Sequence, residues 1–146
     1  MIYILRHQEG QTHTNCLSKR GVHNSHSIAK RFTSSCFVYT MLPSSNGKHV
    51  RPIQTATIMC TEMNKSLNLL ENDDIFPTNE DNCSHLIVWH HHGIPKILQK
   101  YFQNASFVWD DNNYNGCLLI HQNRWEYVSD YCKPKPKQPF LRICGC

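Results

Sequence analysis

Residues at widely separated places in this chain suit one kind of chemistry. Arg6 and His7 follow the apolar run Ile2-Tyr3-Ile4-Leu5, and Arg51 precedes Pro52. Much later, His90, His91 and His92 follow a second apolar run, Leu86-Ile87-Val88-Trp89. Guanidinium groups bind tetrahedral oxyanions in a bidentate fashion. A helix start at Arg51 would add a favourable dipole end for an anion. An imidazole titrates near neutral pH and can take a phosphoryl group on a ring nitrogen. The combination points to phosphoryl transfer. A neutral His7 would attack phosphorus while Arg6, Arg51 and a second, protonated imidazole hold the equatorial oxygens. A carboxylic acid nearby would protonate the leaving oxygen. The competing reading of the histidine triplet is a metal site. Adjacent side chains on an extended segment point to opposite sides, so His90 and His92 would converge there. No acidic residue or suitable cysteine is visibly paired with them, so no metal site and no cofactor are expected.

The elements that must position these groups follow from the apolar pattern. Residues 2–5 predict a short buried strand, and the polar residues 8–16 a loop. "LSKRGVHNSHSIAKRF" at 17–32 predicts a helix with Ser18 as N-cap and Val22, Ile28, Ala29 and Phe32 on its apolar face. Gly21 in its first turn costs about 1 kcal/mol relative to Ala and needs another reason to be there. A strand over 36–40 and a loop over 42–48 precede a helix from Val50 to Met63, with Pro52 in its first turn. Residues 71–84 read as a long acidic loop with a short extended piece at Ile75-Phe76. A strand over 85–89, a helix over 94–103 and strands over 117–121 and 124–128 complete the order, the last two joined at Gln122-Asn123. Strands alternating with helices predict a three-layer α/β/α sandwich with a mainly parallel central sheet. Ligands in such sheets bind beyond the strands' carboxyl ends. Arg6-His7 and His90–His92 both lie just past such an end and should share one rim. One domain is expected over 1–131, followed by a Lys/Pro-rich, cysteine-containing tail over 132–146.

Four of these segments, in this order, resemble the histidine phosphatase superfamily, also called phosphoglycerate-mutase-like. "IYILRHQEG" is similar to its opening strand with the R-H-G-E motif, and "LSKRGVHNSHSIAKRF" to its L-T-x-x-G helix, which supplies a reason for Gly21. "VYTMLPSSNGKHVRPIQTA" resembles the segment carrying R-x-x-Q-T-A, and "LIVWHHHGIP" the later strand that ends in the second active-site histidine. Together they cover roughly residues 1–103. The resemblance implies that His7 is the phosphate-accepting nucleophile and that Arg6 and Arg51 bind the phosphate. It implies that one of the three histidines is the second pocket imidazole. His91 is favoured, because a W-x-H-x-x-I-P version of the segment aligns with Trp89, His91, Ile94 and Pro95; His90 is the alternative. Gln8 stands where the family usually has Gly or Ala, so it either crowds the pocket or donates its amide to the phosphate. The usual Ser-Pro is replaced by Met41-Leu42-Pro43. The general acid often lies between the R-x-x-Q-T-A helix and the second histidine. Glu80 is named first there, beside Glu71, Asp73, Asp74 and Asp81. The implied activity is a metal-independent phosphatase working through a phosphohistidine on His7, with a mutase less expected for want of long insertions. Gln8 and the uncertain acid also leave room for a second class: a weakly catalytic fold that binds phosphate or serves as an interaction component.

Composition narrows the partners. The chain has 146 residues and a net charge of +4, with its Lys and Arg scattered apart from Lys133, Lys135 and Lys137. A domain of this size buries roughly 70% of its unfolded surface, enough for a real core. A nucleic-acid surface would be more basic and more clustered. No apolar run approaches bilayer length, so no membrane partner is expected. No basic-then-apolar leader is present at the start, and the 8 cysteines accordingly read as reduced thiols in a cytoplasmic setting. The asparagine- and cysteine-rich composition resembles that of proteins from large DNA viruses or other AT-rich genomes. The expected partner is a phosphorylated small molecule or a phosphoprotein.

Overall fold

A computed structural model of the chain describes residues 1–35, 37–78 and 82–133. In chain order the elements are β1 (Ile2–Arg6), α1 (Lys19–Ala29), β2 (Phe37–Met41), α2 (Val50–Met63), β3 (Leu67–Leu70), β4 (His85–Trp89), α3 (Ile94–Tyr101), β5 (Cys117–His121) and β6 (Arg124–Val128). The strands form one six-stranded sheet in the order β3-β2-β4-β1-β5-β6. The pairings β3/β2, β2/β4 and β4/β1 are parallel, whereas β1/β5 and β5/β6 are antiparallel. The fold is the α/β sandwich that the strand–helix alternation predicts, with β5 reversed at β1's free edge.

Alternation along the central strands divides the core between two faces. Leu5, Val38, Leu86 and Val88 face α1 and α2, where they meet Ile28, Phe32, Ala56 and Met59. Ile2, Ile4, Ile87 and Trp89 face the other way, onto Ile94, Ile97 and Leu98 of α3 and onto Trp109. The central strands are thus apolar on both sides, as a sheet covered by helices on both faces requires. Aromatic rings extend the second layer, with Phe107 and Trp109 packed edge-on against Trp125 and Tyr127.

Several boundaries move from their predicted places. The helix expected over 17–32 begins at Lys19, with the Ser18 hydroxyl accepting from Gly21 N at 3.0 Å, and ends at Ala29. The helix expected over 94–103 ends at Tyr101. β3 is a strand for which no element was expected. It has four residues, two of them exposed, and lies at the sheet edge, so neither length nor alternation marks it. Ile75-Phe76 forms no strand; Phe76 is instead buried against Trp89, ring centroids 5.4 Å apart. Cys132, which opens the expected tail, is buried in the core on the α1/α2 face, and its N–H donates to Asn115 O at 2.8 Å. The rest of that tail, from 134 on, lies outside the described residues, as does Cys36. Cys16, Cys60, Cys117 and Cys132 are free thiols. Among the described residues no helix is long and apolar enough to cross a membrane.

Candidate active site

β1 and β4 run parallel with Arg6 opposite Trp89, so the residues just beyond them emerge together. His7 N–H donates to Trp89 O at 3.0 Å and fixes that juxtaposition. β5 is antiparallel to β1, with Cys117 opposite Leu5. The loop entering β5, residues 110–116, therefore arrives at the same rim.

The loop after β1 is held by two helix starts. Gln8 N–H donates to Thr55 Oγ1 at 3.0 Å, and Leu17 N–H to Gln54 Oε1 at 2.8 Å, so both polar side chains of the Gln54-Thr55 pair brace this loop. Ala56, next in line, is fully buried under the sheet. Gly21 packs against the Glu9 backbone, where an added Cβ would lie 2.0 Å from the carbonyl oxygen. The glycine is thus required by a close approach, and its helix cost is met by docking α1 onto the loop.

His7 is buried, and its Nδ1 lies 2.8 Å from Gln8 O. A carbonyl can only accept, so Nδ1 carries the proton and Nε2 keeps its lone pair. Burial pulls the His7 pKa down to about 4, helped by the charges of Arg6 and Arg51 and by His91, against the opposing pull of the Gln8 carbonyl. The ring is neutral at pH 7. His91 lies with its ring 6.4 Å from that of His7, and Tyr114 at 6.3 Å. Burial, Arg6 and His92 also lower the His91 pKa, while Asp111 raises it. His91 Nε2 is 3.0 Å from Asp111 Oδ1.

Both guanidiniums are anchored by loop carbonyls. Arg6 Nη1 donates to Asp111 O and Asn113 O, and its Cζ lies 4.0 Å from the centre of the Tyr114 ring. Arg51 Nη2 donates to Gln11 O at 2.7 Å and Thr14 O at 2.8 Å. It lies against Gly10, where an added Cβ would fall 2.0 Å from Arg51 Cζ. Each guanidinium also keeps a buried Nε without a partner, as do His91 Nδ1 and Gln8 Oε1. Four unsatisfied buried polar atoms on four neighbouring residues are unusual, because buried polar groups are normally paired.

The structure thus brings Arg6, His7, Gln8, Arg51 and His91 to one rim. Gln8 is buried beside His7 with its Nε2 donating to Tyr114 O at 3.0 Å. His90 faces elsewhere. Its ring lies against that of His49, tilted by 33° with centroids 4.6 Å apart, and burial lowers its pKa to about 4. With His92, Asp73, Phe76 and Lys96 it lines a separate cavity of about 580 Å³ beside α3. Glu80 and Asp81 lie outside the described residues. Of the other acids in that interval, Asp74 accepts from Glu71 N at 2.6 Å, and Asp73 lines the His90 cavity. Sequence reasoning missed Asp111 and Tyr114. Their signal was the polar–aromatic run "WDDNNYNG", which becomes informative only once β5 is known to run antiparallel.

No protein-family profile and no curated protein matches the chain by sequence. Solved structures do match its backbone. Phosphoglycerate mutase from Plasmodium falciparum superposes with a TM-score of 0.58 at 15% identity, over 94% of this chain and 94% of the other. The chain has the fold of the histidine phosphatase superfamily. Phosphoserine phosphatase from Entamoeba histolytica, solved with 3-phosphoglyceric acid, gives 0.57 at 11% identity over 88% and 94% of the two chains. A mycobacterial glucosyl-3-phosphoglycerate phosphatase with inorganic phosphate gives 0.55 at 11%, over 88% and 96%. At such identities the histidine-phosphatase fold is what is shared.

Proposed function

We propose that the protein is a phosphatase that transfers a phosphoryl group from its substrate to His7 Nε2 and then to water. The observation that carries this reading is the set of buried, partnerless polar atoms on Arg6, Arg51, Gln8 and His91 around a neutral His7. A tetrahedral oxyanion would satisfy the two guanidinium N–H groups among them. In the first step Nε2 attacks phosphorus in line, and the bond to the leaving oxygen breaks. The Nδ1–H bond to the Gln8 carbonyl holds the ring in the tautomer that exposes Nε2. Arg6 and Arg51 stabilise the charge spread over the equatorial oxygens, and His91 binds one of them. In the second step water attacks the phosphohistidine, which releases inorganic phosphate and restores His7. Glu80 is the proposed proton donor to the leaving oxygen. One phosphatase of similar fold, the mycobacterial glucosyl-3-phosphoglycerate phosphatase, has been solved with inorganic phosphate and with VO3, which supports an oxyanion as the kind of ligand proposed here.

The substrate is proposed to be a phosphomonoester or protein phosphohistidine, processed without a metal ion because the Arg6 and Arg51 guanidinium groups supply the positive charge. A chromogenic aryl phosphate, assayed with and without EDTA, tests this. Turnover that survives EDTA and is lost in His7→Ala is expected; turnover that persists in His7→Ala contradicts it. Gln8 favours a second reading. Its side chain is buried beside His7 and tied to Tyr114 O, which narrows the pocket and suits a protein that holds phosphate without turning it over. Retention of phosphate or vanadate with no turnover would select that reading.

A further inference from the structure

We propose that His91, His92 and Asp111 form a binding site for a Zn²⁺-like transition-metal ion, and that the ion inhibits the enzyme by occupying His91. The binding claim is independent of the phosphatase reading; the inhibition claim rests on it. One ligand atom from each residue lies within 4.8 Å of the others. His91 Nε2 and Asp111 Oδ1 are 3.0 Å apart, a separation that two ligands each about 2.1 Å from one ion can span. The His91 and His92 rings lie 3.9 Å apart, tilted by 37°.

This pairing differs from the one an extended chain would give. After Trp89 the backbone leaves the strand and turns, with Gly93 N–H donating to His90 O at 3.0 Å. Adjacent side chains in a turn need not alternate, so His91 and His92 converge while His90 turns to His49. The carboxylate that sequence reading did not find comes from the β5 entry loop.

Two imidazoles and a carboxylate suit Zn²⁺, Co²⁺ or Ni²⁺, whereas Mg²⁺ and Ca²⁺ favour all-oxygen sites. The side chain of Asp111 is 72% exposed and that of His91 15%, so the ion can enter from solvent and keep water in its remaining positions. Arg6, bonded to the Asp111 carbonyl, opposes a cation here. Affinity should therefore fall below that of four-ligand structural zinc sites. An ion held by His91 Nε2, His92 and Asp111 draws the His91 ring toward those ligands and misplaces its Nδ1 edge, the one left without a partner and proposed to hold a phosphate oxygen, so the ion slows turnover.

Co²⁺ titration of the full chain reads the site directly. Ligation by nitrogen and oxygen gives visible d–d bands without the near-ultraviolet charge-transfer band of a thiolate. Saturable bands of that kind are expected, with affinity reduced at least tenfold in His92→Ala and in Asp111→Asn. Absent bands, or bands unchanged in both variants, overturn the site. In the turnover assay, Zn²⁺ should inhibit the wild type, and His92→Ala should raise the inhibitory concentration at least tenfold without altering metal-free turnover. Equal inhibition of the two proteins overturns the inhibitory role. If the wild type turns over no aryl phosphate, the phosphatase reading fails, and the Co²⁺ titration still decides the metal site.

Discussion

At the scale of single residues, the site depends on a histidine kept neutral and arginines kept in place. His7 has a folded-state pKa of about 4, against about 6.5 when unfolded. The unfolded chain therefore binds the extra proton first. Stability is unaffected by His7 above pH 6.5 and falls as pH drops toward 4. The loss is about 2 kcal/mol by pH 5. His90, also held near 4 by burial, adds a loss of similar size, so urea unfolding at pH 7 and pH 5 should show a fall that His7→Gln reduces by about half; an equal fall in the variant would contradict the buried neutral imidazole. Gly10 offers a probe of Arg51. A methyl group there meets only the far end of a flexible side chain, which can move away. Gly10→Ala should leave the unfolding midpoint nearly unchanged and weaken vanadate binding by about tenfold, on the scale of one charge-assisted hydrogen bond. Unchanged binding would place Arg51 outside the anion site.

At the scale of elements, the same small change has the opposite consequence at Gly21. There an added methyl group meets backbone, the Glu9 carbonyl, which cannot swing aside. Gly21→Ala gains about 1 kcal/mol in helix propensity. Overpacking costs typically 1–3 kcal/mol, and more when backbone must shift. The net expected change is a destabilisation of about 2 kcal/mol by urea unfolding, and a stabilised variant would contradict the close docking of α1 on the loop. These elements also show what sequence could and could not convey. β1 and β4 were legible because their short apolar runs are unbroken and bounded by polar residues, and α2 because Pro52 marks its first turn. β3 was not, because its two exposed residues and edge position erase the alternation. Asp111 and Tyr114 were hidden by strand direction: a polar loop before β5 reaches the rim only because β5 runs antiparallel to β1. The choice among His90, His91 and His92 turned on the backbone turn after Trp89, which side-chain periodicity does not encode.

At the scale of the whole molecule, the rim is assembled from both layers of the sandwich. α1 and α2 brace the loop that follows His7 and carry Arg51. The opposite layer supplies the β5 entry loop, whose carbonyls hold Arg6. Trp109 connects that loop to the core, buried among aromatic rings with Nε1–H donating to Asn113 O at 2.8 Å. Asn113 O also accepts from Arg6. Trp109→Phe should cost about 1–2 kcal/mol of stability, because a carbonyl loses its donor. It should also lower turnover more than Trp125→Phe, which lies in the same cluster without that bond. Equal effects would mean that the loop holds Arg6 without help from Trp109.

The central claim is that His7 carries the phosphoryl group. Mass spectrometry of the protein mixed with an aryl phosphate and quenched in alkali, where phosphohistidine survives, tests it most directly. The account predicts one phosphoryl group on His7 of the wild type and none on His7→Ala. A phosphoryl group on another residue, or turnover by His7→Ala at the wild-type rate, would contradict it.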